Sequence, residues 1–140
     1  MNNQTPSSLK QLALTLLALA SVAVVHAGDV SGVWTWITPG RNGGSDHTNT
    51  LTLKADGAAL NGTVSSPGRE GRVIATPITA GKLEGDSISF LVVRQVRGNS
   101  VTNNYSGAVV ADKITGKISA TRDGALQSHD WVAQRAPAAN

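Results

Sequence analysis

The feature that most constrains the fold of this 140-residue chain is a series of eight short segments in which apolar and polar residues alternate. Alternation with a period of two is typical of β-strands that bury one face. The residues between the segments are rich in glycine, asparagine, aspartate and proline, which favour tight turns. The predicted strands are residues 30–38, 47–54, 59–65, 73–83, 87–96, 101–110, 114–121 and 127–135.

The short connections between these segments predict an antiparallel meander, whose last strand can pair with its first. We therefore predict an all-β domain that forms a single eight-stranded antiparallel up-and-down barrel. The alternative is a two-sheet β-sandwich. Pro77 interrupts the fourth segment and predicts an edge, a bulge or a bend there.

The predicted interior follows from the alternation. Two of the three tryptophans, Trp34 and Trp36, are two residues apart and therefore point to the same face of the first strand. Gly62, Gly107 and Gly116 each lie between two apolar residues of an inward row, where glycine lets a strand bend within a small barrel. The predicted interior residues are Trp34, Trp36, Leu51, Leu53, Leu60, Val64, Ile88, Phe90, Val92, Tyr105, Val109, Ile114, Ile118 and Trp131.

Residues 1–27 have the pattern of a signal peptide. Lys10 precedes an apolar run over residues 12–25, and small residues follow at the predicted cleavage site. An uncleaved membrane anchor is the alternative. The chain has no cysteine, which excludes disulfides and a cysteine-linked lipid anchor. The sequence thus predicts a periplasmic or secreted protein with a barrel domain at residues 28–135 and a disordered tail at residues 136–140.

The charge of the predicted mature chain is small. Removing residues 1–27 from the 140 leaves 113 residues, and losing Lys10 leaves 11 basic against 9 acidic residues, a net charge of +2. This is too small a surplus for a nucleic-acid-binding protein. We expect no nucleic-acid partner, and no membrane association after cleavage of the signal peptide.

The arginines are concentrated at one end of the predicted barrel. Alternate hairpins of a meander lie at the same end, and the planar guanidinium group binds carboxylate or phosphate through two hydrogen bonds. This pattern predicts a barrel mouth that binds a small polar or anionic molecule. The alternative is that these arginines only make the hairpin tips soluble. The six arginines at this end are Arg41, Arg69, Arg72, Arg94, Arg97 and Arg122.

Arg94 and Arg122 continue the inward rows of their strands and therefore need a partner. That partner is either an inward acid or carbonyl group, or the ligand. We expect Trp36 and Tyr105 to form an apolar wall of the site and His47 and His129 to flank its entrance. The predicted ligand-binding residues are Arg94, Arg122, Trp36, Tyr105, His47, His129, Arg41 and Arg69.

The sequence gives no signature of catalysis. Two histidines without a third ligand do not predict a metal site, and no nucleophile elbow, phosphate loop or dinucleotide fingerprint follows the signal peptide. We predict a protein that is not an enzyme and needs no cofactor. The rival function is a protein-interaction module, or an inhibitor of an exported enzyme or cell-surface partner, that uses its hairpin tips.

Three resemblances support the barrel. Gly32-Val33-Trp34 resembles the Gly-x-Trp of lipocalins and other calycins, in which the tryptophan closes one barrel end against a basic residue near the last strand; Arg135 would be that residue here. Residues 55–64 resemble the opening hairpins of avidin-like barrels. Residues 32–36, 39–43, 85–94, 122–124 and 130–131 resemble small secreted bacterial barrel proteins, which implies a lipocalin-like fold and export and no particular activity.

Overall fold

Nine β-strands account for most of the computed structural model of the protein, which describes residues 29–137. The predicted signal peptide and residues 138–140 of the predicted tail lie outside the described residues. Most strands are slightly longer than the predicted segments, because the pairing of two strands continues up to the two-residue turn that joins them. The strands are β1 Gly32–Thr38, β2 His47–Asp56, β3 Ala59–Pro67, β4 Val73–Pro77, β5 Thr79–Glu84, β6 Ser87–Val96, β7 Asn99–Val110, β8 Lys113–Arg122 and β9 Ala125–Arg135.

Eight of these strands form the predicted closed, antiparallel, up-and-down barrel. Their order around the barrel is β1, β2, β3, β5, β6, β7, β8 and β9, and β9 pairs again with β1. The predicted fourth segment divides after Pro77 into β4 and β5, both of which pair with β3. Because β4 pairs only with β3, it is the extra strand outside the barrel. The part of the chain that the structure describes has no helix long and apolar enough to cross a membrane.

The barrel interior is filled with side chains. All the residues of the predicted interior are buried, and the sequence reasoning missed Val30, Ile78, Ala120 and Ala133. Four aromatic rings meet at the centre, with ring centroids between 4.8 and 6.2 Å apart. The interior is therefore a packed core, and any ligand must bind at an end or at a seam of the wall. The four rings belong to Trp36, Phe90, Tyr105 and Trp131.

Two inward glycines allow the strands to approach more closely than a side chain permits. A Cβ atom at Gly62 would lie 1.9 Å from the carbonyl oxygen of Thr52, and one at Gly116 would lie 1.9 Å from that of Ser106. Both oxygens belong to the neighbouring paired strand. The predicted role of inward glycine in a tightly bent barrel is confirmed at these positions.

One end of the barrel, which we call the base, is closed by Trp34 and Arg135. The guanidinium carbon of Arg135 lies 4.2 Å from the centroid of the Trp34 ring, which is a cation–π contact. Arg135 also donates to the carbonyl oxygens of Ser31 and Asp29 and, through Nε, to the carboxylate of Asp112 at 3.0 Å. The contact that the lipocalin resemblance implied is therefore present.

Toward the opposite end, which we call the mouth, the barrel wall separates along two seams. Strands β1 and β9 pair only at Trp34 with Arg135 and at Thr35 with Gln134, both near the base. On the other side, β4 makes no ladder with β6. The mouth half of the wall is thus less completely paired than the base half, along the β1/β9 seam and along the β4/β6 seam beside the extra strand.

Candidate functional site

The mouth carries the six arginines that the meander was predicted to bring together. Two of its connections repeat the pattern Pro-Gly-Arg-x-Gly and fold alike. The central residues Asn42 and Glu70 have φ angles of 53° and 58°, in the left-handed region. In each turn a backbone hydrogen bond is accepted by the arginine carbonyl: the amide of Gly44 donates to Arg41, and the amide of Arg72 donates to Arg69.

A cavity of about 580 Å³ lies at the mouth between the β6–β7 and β8–β9 hairpins. Three arginines and one carboxylate line it, so the charged groups around it are mainly positive. Its volume is in the range of small-molecule sites. The lining residues are Arg41, Val96, Arg97, Asn99, Ser100, Val101, Thr121, Arg122 and Asp123.

Arg94 points inward on β6 and is half-buried. Its Nη2 donates to the hydroxyl of Ser66 at 2.9 Å, and this hydroxyl donates to the amide oxygen of Asn49 at 2.7 Å. The amide nitrogen of Asn49 donates in turn to the hydroxyl of Thr38 at 2.9 Å. The chain of contacts runs across β6, β3, β2 and β1 and fixes the position of the guanidinium group.

The Arg94 guanidinium is incompletely satisfied. Its Nε is buried and has no hydrogen-bond partner. Within residues 29–137 the two ion pairs are Lys117 with Asp130 and Arg135 with Asp112, so Arg94 faces no carboxylate there. The partner expected from the sequence was an inward acid or a carbonyl group; the structure instead provides a hydroxyl. A buried donor without a partner is costly, which makes this position suited to an acceptor group of a ligand.

A second buried donor without a partner belongs to Trp131, whose ring packs against Tyr105. Burial raises the pKa of the Tyr105 phenol, and the charge of Arg94 acts in the opposite direction. The ring of Trp131 packs edge-on against Tyr105 with centroids 5.2 Å apart, and its Nε1 is buried without a partner. Tyr105 thus packs against the ring that carries the second unpartnered donor, and its phenol is also influenced by the charge of Arg94.

The structure separates the predicted site residues into several places. Arg41 and Arg122 line the mouth cavity, whereas Arg94 lies on the inward face of β6 beside Ser66. Arg122 is exposed at the end of β8, although it continues an inward row. Arg69 lines a different groove, of about 500 Å³, with Gly68, Glu70, Arg72 and Ile74.

The predicted aromatic and histidine residues are placed differently. Trp36 and Tyr105 are only 8% and 4% exposed, so they form a floor beneath the mouth and offer little free ring surface. His47 and His129 are exposed near the mouth, and neither lines the mouth cavity. Residues 29–137 contain no group of three or more histidine, cysteine, aspartate or glutamate side chains placed to hold a metal ion.

The sequence reasoning missed Asn49 and Ser66, which support Arg94. Both are buried polar residues that continue apolar inward rows, Asn49 before Leu51 and Ser66 after Val64. A polar residue at the end of an apolar row is the signal that could have found them, because such a residue must have a hydrogen-bonding partner when it is buried.

The only tyrosine of the chain provides a direct test of this geometry. We expect phenolate formation by Tyr105, followed by ultraviolet difference absorbance, to occur at a higher pH than in an unfolded chain, because burial raises its pKa. Folding favours the protonated phenol, so the free energy of unfolding should fall as pH rises above the ordinary tyrosine value. Arg94→Ala should raise the pKa of Tyr105 further, while Arg97→Ala should not. A folded protein that titrates like a free tyrosine would contradict this arrangement.

Comparison of the chain with protein-family models, with curated proteins and with solved structures gives no match in any of the three.

Proposed function

We propose that this protein is an exported, lipocalin-like barrel that binds a small polar or anionic molecule at its mouth. The observation that carries the proposal is the buried, unpartnered Nε of Arg94 in a guanidinium group that faces no carboxylate within residues 29–137. Leaving a buried donor unsatisfied costs about 1–3 kcal/mol. A ligand that supplies an acceptor at this atom would remove that cost, which favours the bound state.

The surroundings of Arg94 favour a carboxylate or phosphate group. Arginine presents several donors in one plane and binds either group through paired hydrogen bonds. Arg41, Arg97 and Arg122 line the neighbouring cavity of about 580 Å³ and would add charge and further donors. The hydroxyl and amide groups of Ser100 and Asn99 in the same lining suit a polar ligand body.

The remaining roles follow from position. Trp36 and Tyr105 would form the floor that stops the ligand from entering the core. His47 and His129 would flank the opening, and Arg69 would act outside the mouth cavity, in its own groove. We propose binding without catalysis and without a cofactor, because no nucleophile, base and orienting group are combined in the sequence motifs or in this cavity.

We propose that the protein is located in the periplasm or the extracellular space. This location is supported by the signal-like pattern of residues 1–27. The proposed relation to calycin-type barrels rests on Gly32-Val33-Trp34 and on the packing of Arg135 against Trp34.

The test is a titration of the full chain with inorganic phosphate and citrate, with glucose as an uncharged probe, followed by NMR. We expect Arg94→Ala to lower the affinity for the anions by roughly tenfold to a hundredfold, since a hydrogen bond to a charged group contributes about 1.5–3 kcal/mol. The affinity of the Arg94→Lys protein should lie between those of the other two, because lysine keeps the positive charge but lacks the planar set of paired donors.

Lys117→Ala is the matched control. Lys117 is an exposed cation on the outer wall, paired with Asp130 at 2.7 Å and remote from the mouth. Its removal should leave anion affinity nearly unchanged. Equal affinity in the Arg94→Ala protein, or shifts that cluster away from Arg94 and Arg122, would overturn the proposal.

A further inference from the structure

The β4/β6 seam exposes two strand edges that face each other. Strand β6 pairs with β5 up to Leu91, opposite Thr79. Continued in the same direction, the ladder would place Pro77 opposite Val93, and proline has no N–H to donate. A β-bulge between Thr79 and Lys82, where Ala80 has a φ of 50°, shifts the register at the same point. The sequence therefore ends the ladder and leaves the seam open toward the mouth.

The register identifies the backbone groups that face the seam. The amide of Ile78 donates to the carbonyl of Gly62, which places the hydrogen-bonded positions of the β3–β4 ladder at the even-numbered residues of β4. Val73 and Ala75 consequently direct both their N–H and C=O groups away from β3. Pro77 adds a carbonyl oxygen to the same edge.

The facing edge of β6 is defined in the same way. The amide of Val109 donates to the carbonyl of Asp86, so the even-numbered residues of β6 pair with β7. Val93 and Gln95 thus direct their N–H and C=O groups toward β4. Within the described chain no strand pairs with these groups.

We propose that the β4/β6 seam binds an extended peptide strand through its main chain, and that this peptide carries acidic residues at the end nearest the mouth. Open strand edges are acceptors for strand addition. Arg72 directly precedes β4, Arg97 directly follows β6, and Arg69 lies in the adjoining turn. Glu70 is the one carboxylate among the residues that line the neighbouring groove.

The arginines beside the seam favour an acidic peptide over a second copy of this chain. A second copy of this chain would bring its own Arg69 and Arg72 to the same edge, and like charges so placed repel. An acidic peptide removes that repulsion. Because β4 and β6 run in opposite directions, an inserted strand is parallel to one and antiparallel to the other.

The side chains along the seam favour an alternating, partly apolar peptide. Ile74 is 54% exposed although it shares a face with Ser66, its cross-strand partner, and it lines the groove of about 500 Å³ beside Arg69 and Arg72. Val73 and Val93 are also exposed. Val73 and Val93 lie on the opposite face from Ile74, so the valines of a strand that alternates valine and threonine would cover Val73 and Val93 with one face. This interaction uses backbone groups that the small-anion site does not.

The experiment uses the full chain and a synthetic peptide in which two aspartates precede six residues of alternating valine and threonine. We expect amide shifts at Val73, Ala75, Val93 and Gln95, and slower hydrogen exchange at those amides. The same peptide with lysines in place of the aspartates should bind roughly tenfold or more weakly. A peptide with a central proline should not bind.

Two proline variants remove donors from the seam alone. The amides of Ala75 and Val93 take no part in the β3–β4 and β6–β7 ladders, so Ala75→Pro and Val93→Pro should fold. Each should weaken the peptide several-fold, whereas Ala75→Ser and Val93→Thr, which keep the N–H, should not. The two variants lie on different strands, so either one tests the proposal if the other is unstable. Unchanged binding in a folded proline variant, shifts away from the seam, or self-association without peptide would overturn it.

Discussion

The Gly116→Ala protein is expected to lose about 3 kcal/mol or more of its free energy of unfolding, or to fail to fold. The new Cβ would lie 1.9 Å from the carbonyl oxygen of Ser106 and 2.5 Å from the Cα of Gly107. Both atoms belong to the backbone of β7, which pairs with β8 at this point. Relief would require the two strands to separate, and this would break the ladder on which barrel closure depends.

Urea unfolding followed by tryptophan fluorescence measures this loss. Gly124→Ala is a suitable control: no atom lies within 4 Å of its added Cβ, and its φ of 77° costs an alanine only about 1–2 kcal/mol. The comparison separates steric exclusion inside the barrel from backbone strain at a hairpin tip. A Gly116→Ala protein as stable as the Gly124→Ala protein would contradict the close approach of β7 and β8.

Trp131→Ala should destabilise the protein by about 3–5 kcal/mol, the range for removal of a large buried aromatic side chain. Its ring is 2% exposed and contacts Trp36, Phe90 and Tyr105 edge-on. The substitution would open a cavity at the point where these three rings meet. Single domains are stable by about 5–15 kcal/mol in total, so the loss should be a large fraction of the stability.

The control for this substitution lies on the same strand. Leu126 is 74% exposed, and Leu126→Ala should change the free energy of unfolding by no more than about 0.5 kcal/mol. Denaturant titrations of both proteins measure the difference. Similar midpoints for the two variants would mean that the aromatic cluster does not carry the stability of the barrel.

The fold was predictable from the sequence because burial in a barrel depends on local alternation. The two-residue spacing of Trp34 and Trp36 is enough to assign both rings to the interior. Short turns predicted a meander of neighbouring strands, and the last strand of such a meander can pair with its first. The break at Pro77 was also visible, since proline cannot continue a ladder on both sides.

The site was less predictable, because it depends on contacts between strands that are distant in sequence. Arg94 and Arg122 occupy equivalent inward rows, yet Arg94 lies within β6 and contacts Ser66, while Arg122 ends β8 and is exposed. Which of the two is enclosed depends on how far the facing strands extend. Arg69 likewise lines a groove separate from the mouth cavity, and this separation depends on how the hairpin ends are placed relative to one another.

The distribution of charge between mouth and base also makes the molecule a permanent electric dipole. Six arginines and three carboxylates lie at the mouth, four cationic and five acidic side chains lie toward the base, and the paired Lys117 and Asp130 lie between the two ends. A dipole turns in an external field even when the net charge is small, and its near field exceeds what the net charge suggests. On a cation-exchange surface at low salt, the protein should therefore adsorb mouth-first and be retained more strongly than a barrel of the same net charge with evenly scattered side chains.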